Sequence, residues 1–290
     1  MTPWLTIVVN CGPSESYIEQ CLDSVRSQTF QDWEAYVTVD ACHDRTYARG
    51  VRARARDRRI HIRRNKQRMY SMANLIQAVR RSRAKPHDVI AMLDGDDWFA
   101  HDDALRTIAD TYARHDCWMT YGSWVSNVAG ATAPRGLWPA YPEHTTDFRR
   151  ARWLATAVRT WKKWLWDRID DSDLRDATGN YYRASEDQAV MLPLLEMSTV
   201  AKARHIADPI MVYNQLNPHA SCFYMAGEMQ RNAVHLANRT PYRPLVAHPH
   251  ARPQSAQNSA SKESASQGCS NAASLGSPAP GLLPRDTLDA

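Results

Sequence analysis

The sequence predicts an α/β protein built on a mostly parallel sheet with helices on both faces. Three observations predict it. Between Leu5 and Val125, strand-length apolar runs alternate with helix-period segments four times in succession, the pattern of repeated strand-then-helix units. Three of the runs stop on polar residues, Asn10, Asp40 and Asp94 to Asp97, and in such sheets ligands sit outside the carboxyl ends of the strands. At 290 residues, 43% of them apolar, the chain has core enough for one well-packed domain without staples.

Leu5 to Asn10 is a β-rich run closed by the turn signal Cys11-Gly12-Pro13-Ser14. Ser16-x-x-Glu19 reads as a capping box, with Tyr17, Ile18, Cys21, Leu22 and Val25 at helical spacing behind it. Trp33 to Asp40 is a second strand with a carboxylate at its end. Nine arginines between Arg45 and Arg64 read either as a solvated helix face or as a patch for phosphates, nucleic acid or an anionic membrane. Ile60-His61-Ile62 is a short strand, and Met69, Met72, Ala73, Ile76 and Val79 mark a helix with methionine as core filler. Val89 to Leu93 is a buried strand running into Asp94-Gly95-Asp96-Asp97. A helix from near Asp102 and a strand over Trp118 to Val125 follow.

The second half changes character. Asn127 to Asp147 reads as a long loop, and the spacing of Trp153, Ala157, Trp161, Trp164 and Leu165 predicts a basic amphipathic helix over residues 148–169. Such a helix covers a core or lies on an anionic membrane. Asp170 to Asp176 reads as a solvated acidic turn. Ser185-Glu186-Asp187 opens a helix N-capped by Ser185, which Pro193 is expected to kink or divide. Strands over Thr199 to Ile206 and Ile210 to Tyr213 and a helix over Met225 to Ala237 complete the body. From about Pro249 onward the Ser, Ala, Pro, Gln and Asn content predicts a disordered tail. The expected division is residues 1–125, 126–245 and a tail over 246–290.

No apolar run approaches the roughly 20 residues of a membrane span, and the N-terminus lacks signal-peptide features. The expected location is cytoplasmic, with residues 148–169 as a peripheral membrane contact. Six cysteines at no metal-ligand or Cys-x-x-Cys spacing read as reduced thiols. The formal charge of +5 is modest.

The chemistry is concentrated in carboxylates. With 23 aspartates, roughly two Asp-x-Asp matches arise by chance, and two are present, at Asp94/Asp96 and Asp171/Asp173. Context separates them, because the first ends a buried strand and the second follows a helical segment. A carboxylate cluster at a strand end suits Mg²⁺ or Mn²⁺ with positions left for phosphate oxygens, hence a nucleoside diphosphate. Its base would lie near Asn10 to Gly12 and Asp40. Glu186-Asp187 is the best-placed pair to take a proton from an attacking hydroxyl, although two acids at a helix N-terminus are also favourable on structural grounds alone.

Four segments in order resemble glycosyltransferase family 2, with its GT-A, Rossmann-like fold: Leu5 to Asn10 with Tyr17 to Phe30, Asp40 to Thr46, Asp94-Gly95-Asp96-Asp97, and Ser185-Glu186-Asp187. The resemblance implies a metal-dependent inverting transfer of one sugar from a nucleotide donor, UDP-linked first and GDP- or TDP-linked as alternatives, to a hydroxyl of a glycan or lipid-linked acceptor. It implies base contact at Asn10 and Asp40, ribose or metal contact at Asp94, metal–diphosphate contact at Asp96 and Asp97, and a base at Asp187 or Glu186. His219 would approach the diphosphate or metal, and Arg68 joins the cofactor set. Val39 stands where the family usually has a second acid before Asp40, and Asn10-Cys11-Gly12 replaces the usual end of the first motif. The Gln-x-x-Arg-Trp motif of processive polymerases is absent, which implies a single addition. The competing readings are a sugar-phosphate nucleotidylyltransferase, for which Cys11-Gly12-Pro13-Ser14 is a poor phosphate loop, and a nucleic-acid-binding protein using the arginines. No nucleic-acid partner is expected.

Overall fold

A computed structural model describes residues 4–128 and 138–246. The predicted tail beyond Val246 and the centre of the predicted 127–147 loop lie outside the described residues. Eight strands form one sheet: β1 (Leu5–Cys11), β2 (Trp33–Val39), β3 (Ile60–Arg64), β4 (Val89–Asp94), β5 (Trp98–Phe99), β6 (Met119–Ser126), β7 (Arg159–Lys162) and β8 (Ala203–Tyr213). Their order is β3-β2-β1-β4-β7-β6-β8-β5. β3, β2, β1 and β4 run parallel, as do β6 and β8, while β7 is antiparallel to both of its neighbours. β5 closes the far edge antiparallel to β8.

The helices are α1 (Ile18–Arg26), α2 (Thr46–Arg56), α3 (Tyr70–Arg81), α4 (Ala104–Arg114), the single turn α5 (Lys163–Trp166), α6 (Glu186–Lys202) and α7 (Ala226–Ala237). The two-residue period of a strand assigns side chains to two cores. Leu5, Ile7 and Val9 of β1, with Val89, Ala91 and Leu93 of β4, pack under α1, α2 and α4. Val8, Ile90 and Met92 face the other way, onto α3 and α6. Helices therefore cover both faces, as the sequence predicts. Cys11, Cys21, Cys42 and Cys117 are buried free thiols.

Several local expectations are corrected. The largest concerns residues 148–169, which do not form a helix. Arg159-Thr160-Trp161-Lys162 is instead the strand inserted between β4 and β6, and Trp161 is fully buried there. Pairing on both edges and burial of a β-prone Thr-Trp pair outweigh a helical spacing that only α5 realises, as one turn. The proposed membrane contact has no amphipathic helix to rest on, because Trp161 and Trp164 lie inside. No helix among the described residues is long and apolar enough to cross a membrane.

The capping box at Ser16 does not form. α1 starts after Tyr17, and the Ser14 carbonyl accepts from the Tyr17 and Ile18 amides, while the Ser14 amide donates to Thr46 Oγ1 at 2.8 Å. Ser185 precedes α6 in a left-handed conformation (φ 65°) and makes no side-chain cap. Pro193 does not divide α6; the departure lies at Thr199 (φ 53°), so residues 199–202 belong to the helix end and β8 is one strand. Every residue from Ala189 to Ser198 is buried, and that packing carries the proline. Within it, Glu196 takes two hydrogen bonds from Arg149, from Nε at 2.6 Å and Nη2 at 2.8 Å, with both side chains nearly sealed from solvent. Arg149 Nη1 donates to the Leu236 carbonyl and Glu196 accepts from the Tyr242 amide, so one pair ties α6 to the segments on either side of it.

Among the described residues, four of the nine arginines of 45–64 are ion-paired. Arg45 and Arg49 pair with Glu15, Arg49 with Glu19, and Arg56 with Asp23. Arg59 pairs with Asp57 while lying 3.7 Å over the Trp33 ring. The second Asp-x-Asp is also spoken for: Asp171 pairs with Arg175 and Tyr181, and Asp173 with Arg239 and Tyr242.

Candidate functional site

Parallel pairing sets Asn10 opposite Asp94 at the carboxyl ends of β1 and β4. Beyond them the chain turns sharply, and the Gly95 amide donates to the Asn10 carbonyl at 2.7 Å. A Cβ at Gly95 would stand 3.0 Å from Cys11 Cβ and 3.2 Å from the Asn10 oxygen, which is why this position has no side chain. The three aspartates of the turn then separate. Asp97, 2% exposed, accepts from the Asn214 amide at 2.8 Å, and Asp96 accepts from Asn217 Nδ2 at 2.7 Å. The segment after β8 is thus latched onto the acidic turn. Asn217 also donates to the Pro13 carbonyl.

Opposite this turn, the start of α6 presents Glu186 and Asp187. Glu186 accepts from Ser71 Oγ at 2.8 Å. Asp187 is ion-paired with Arg159 Nη2 at 2.7 Å, and the arginine's Nε donates to the Ala155 carbonyl just ahead of β7. Burial first, then Glu186 and Asp96, push the Asp94 carboxyl well above its usual range; Arg159 opposes the shift. Burial, then Asp94 and Asp96, raise Asp97 likewise, and burial raises Asp96. Burial and then Asp187 raise Glu186. This crowding and burial disfavour the ionised carboxylates, and a bound cation would favour them.

A cleft of about 780 Å³ collects all nine residues singled out in the sequence: Asn10, Asp40, Arg68, Asp94, Asp96, Asp97, Glu186, Asp187 and His219. Their settings differ. The Asn10 side-chain amide is buried with neither its nitrogen nor its oxygen partnered. Asp40 is already saturated, accepting from the Met69 and Tyr70 amides at 2.8 Å and from Asn65 Nδ2 at 3.0 Å, so it also anchors the start of α3. His219 is exposed, and its amide donates to Asn217 Oδ1. Asp96, Asp97 and His219 do not converge as a closed ligand set: among the described residues no three His, Cys, Asp or Glu side chains stand close enough to hold a metal. Sequence reasoning missed Ser71, Arg159, Asn214 and Asn217, none of which lies in a recognisable motif; Arg159 was hidden by the helix expected around it.

A curled, mostly parallel sheet with acidic strand ends and a second acidic pair across the cleft defines the GT-A class of fold. Residues 4–186, well over half of the sequence, match the family model described as glycosyl transferase family 2. The chain belongs to that family. No curated protein matches the sequence. Similar solved structures include TarS 1-349 of S. aureus in complex with UDP (TM-score 0.59, 16% identity, 82% of this chain and 67% of that one). A second is glucosyl-3-phosphoglycerate synthase of Mycobacterium tuberculosis with Mn²⁺, UDP and phosphoglyceric acid (0.55, 11%, 82% and 80%). A third is the mannosyltransferase PcManGT of Pyrobaculum calidifontis with GDP-Man and Mn²⁺ (0.51, 16%, 81% and 62%). At these identities the likeness is one of fold, and the chain spans 60% of another TarS 1-349 structure and 36% of a longer TarS chain.

Proposed function

We propose that this protein is a glycosyltransferase that moves a single sugar from a nucleoside-diphosphate sugar to an acceptor hydroxyl of a glycan or lipid-linked glycan, with inversion and with a divalent metal. The observation that carries the reading is the pairing of two acidic groups across one cleft, Asp94/Asp96 at the strand ends and Glu186/Asp187 at the start of α6. Family membership and the nucleotide complexes of the similar structures support it.

Asp94 and Asp96 suit Mg²⁺ or Mn²⁺: they offer hard oxygen donors in a setting that opposes their charge, and leave positions for phosphate oxygens and water. Bound there, the ion would neutralise charge developing on the leaving diphosphate. Asp97 holds the turn against Asn214, and Asn10 offers an unpartnered amide to the nucleoside. Asp187 is the base. Arg159 pairs with it and fixes its direction, whereas Glu186 is held by Ser71. As the acceptor oxygen attacks the anomeric carbon from the face opposite the diphosphate, its proton passes to Asp187 and the bonding pair of the broken C–O bond leaves with the diphosphate. The strand ends within residues 4–125 then serve the donor, and the segment from β7 to α7 serves the acceptor.

A panel of UDP-, GDP- and TDP-sugars with Mn²⁺ or Mg²⁺, read as released nucleoside diphosphate, tests the proposal. Metal-dependent release from one donor is expected, abolished by Asp96→Asn and lowered about 10²–10⁴-fold by Asp187→Asn. Release from no donor, or release indifferent to both changes, would overturn it.

A further inference from the structure

The cleft wall beside Glu186 carries two cations that the transfer chemistry above does not use. Arg68 and Arg183 lie against the same phenol ring, their guanidinium carbons 4.7 and 4.0 Å from the Tyr70 centroid. Arg68 also donates to Tyr224 Oη at 2.6 Å, and Arg183 to Tyr70 Oη at 2.5 Å. Among the described residues Arg68 has no carboxylate partner, and the only one for Arg183 is Glu228, 3.9 Å away at the limit of an ion pair. Each guanidinium has five N–H donors, and both arginines are exposed and line the cleft. Two like charges are thus braced by one aromatic ring, an arrangement that suits an anion with several oxygens.

The position bears on which anion. Ser71, next to Tyr70, donates to Glu186 at 2.8 Å and lies 3.3 Å from the Arg183 carbonyl, and Arg183 lies three residues before Glu186. Arg183 therefore lies beside the Glu186–Asp187 pair, while Arg68 stands next to Met69 and Tyr70, whose amides donate to Asp40. We propose that Arg68 and Arg183 form a phosphate-binding pair for an acceptor that carries a phosphate group. The word acceptor rests on the transfer reading above; the anion site does not.

The phosphate could instead belong to the donor diphosphate, and one experiment separates the two sources. Inorganic phosphate is titrated by calorimetry into the full chain, alone and after saturation with UDP or GDP and Mn²⁺. The wild type is compared with Arg68→Gln, Arg183→Gln and Arg183→Lys, each checked for an unchanged melting curve. The proposal expects saturable phosphate binding that survives nucleotide saturation and weakens roughly tenfold or more in the glutamine variants. In Arg183→Gln nucleotide affinity stays within about twofold, and Arg183→Lys keeps part of the phosphate affinity. Phosphate binding that disappears once nucleotide is bound, or nucleotide affinity that falls with Arg183→Gln, would assign the pair to the donor and overturn the proposal. So would wild-type phosphate affinity in both glutamine variants. If the wild type bound phosphate but no nucleotide, the transfer reading would fail while the anion site stood.

Discussion

Gly95→Ala tests whether contact between the ends of β1 and β4 sets the acidic turn. The added Cβ would lie 3.0 Å from Cys11 Cβ and 3.2 Å from the Asn10 oxygen, and well inside contact with Cys11 Sγ. Carbon atoms settle at about 3.5–4.0 Å, so the strand ends must part by roughly half an ångström or more. Cys11 is 1% exposed and cannot swing into solvent. Overpacking of this kind costs about 1–3 kcal/mol, which for a body of this size lowers Tm by roughly 2–12 °C. The same movement lengthens the Gly95–Asn10 hydrogen bond and shifts Asp94 and Asp96 together. Urea unfolding should report the loss of stability, and calorimetry with UDP or GDP and Mn²⁺ a loss of affinity of roughly tenfold. Adding Cys11→Ala removes the sulfur and should restore part of both. Unchanged Tm and unchanged nucleotide affinity in Gly95→Ala would refute the reasoning.

Glu196→Gln leaves the sealed Arg149 guanidinium without its counter-charge and should cost about 3–5 kcal/mol in urea unfolding; a change under about 1 kcal/mol would contradict the geometry. Arg159→Met should lower turnover roughly tenfold or more, because the arginine pairs with Asp187, and Arg159→Lys, which keeps the charge, should recover part of the loss; wild-type turnover in Arg159→Met would count against a positioning role. Burial holds the His205 pKa below its usual value. The unfolded chain therefore takes up this proton first as pH falls, so His205 contributes stability above its unfolded pKa that is lost as pH drops through the ordinary histidine range. In His205→Gln the decline over that range should be shallower, measured as Tm against pH; identical slopes would reject the assignment.

What was legible in the sequence follows from burial. β1 and β4 are covered on both faces, so Leu5 to Val9 and Val89 to Leu93 appear as unbroken apolar runs, and the abrupt change to Asn10 or Asp94 marks the cleft. α4 buries one stripe and shows its period, whereas α3 is buried over consecutive residues 72–76. β7 was illegible because its four residues are a strand only by virtue of two partners distant in sequence, and the flanking tryptophans fall by coincidence at helical spacing. β5 has two residues and no periodicity to read. In the site, the acidic residues announced themselves by clustering. Asn214, Asn217, Ser71 and Arg159 acquire their roles only through contacts made after the chain folds back. The caps expected at Ser16 and Ser185 failed for a related reason: Ser14 is drawn onto Thr46, and the chain enters α6 through a left-handed residue.

The insertion of β7 between β4 and β6 has a consequence for the order of assembly. β1 to β4 can pair among themselves as soon as residue 94 is available, but the outer edge of β4 stays bare until residues 159–162 arrive. Meanwhile Ile90 and Met92 offer an apolar strand with open amides and carbonyls, the kind of edge that recruits another chain. The seam at the sheet's centre thus closes through a long-range contact, of the kind that slows folding relative to local pairing. A fragment ending before residue 159 would retain the first parallel strands with that seam open, and should associate where the longer chain does not.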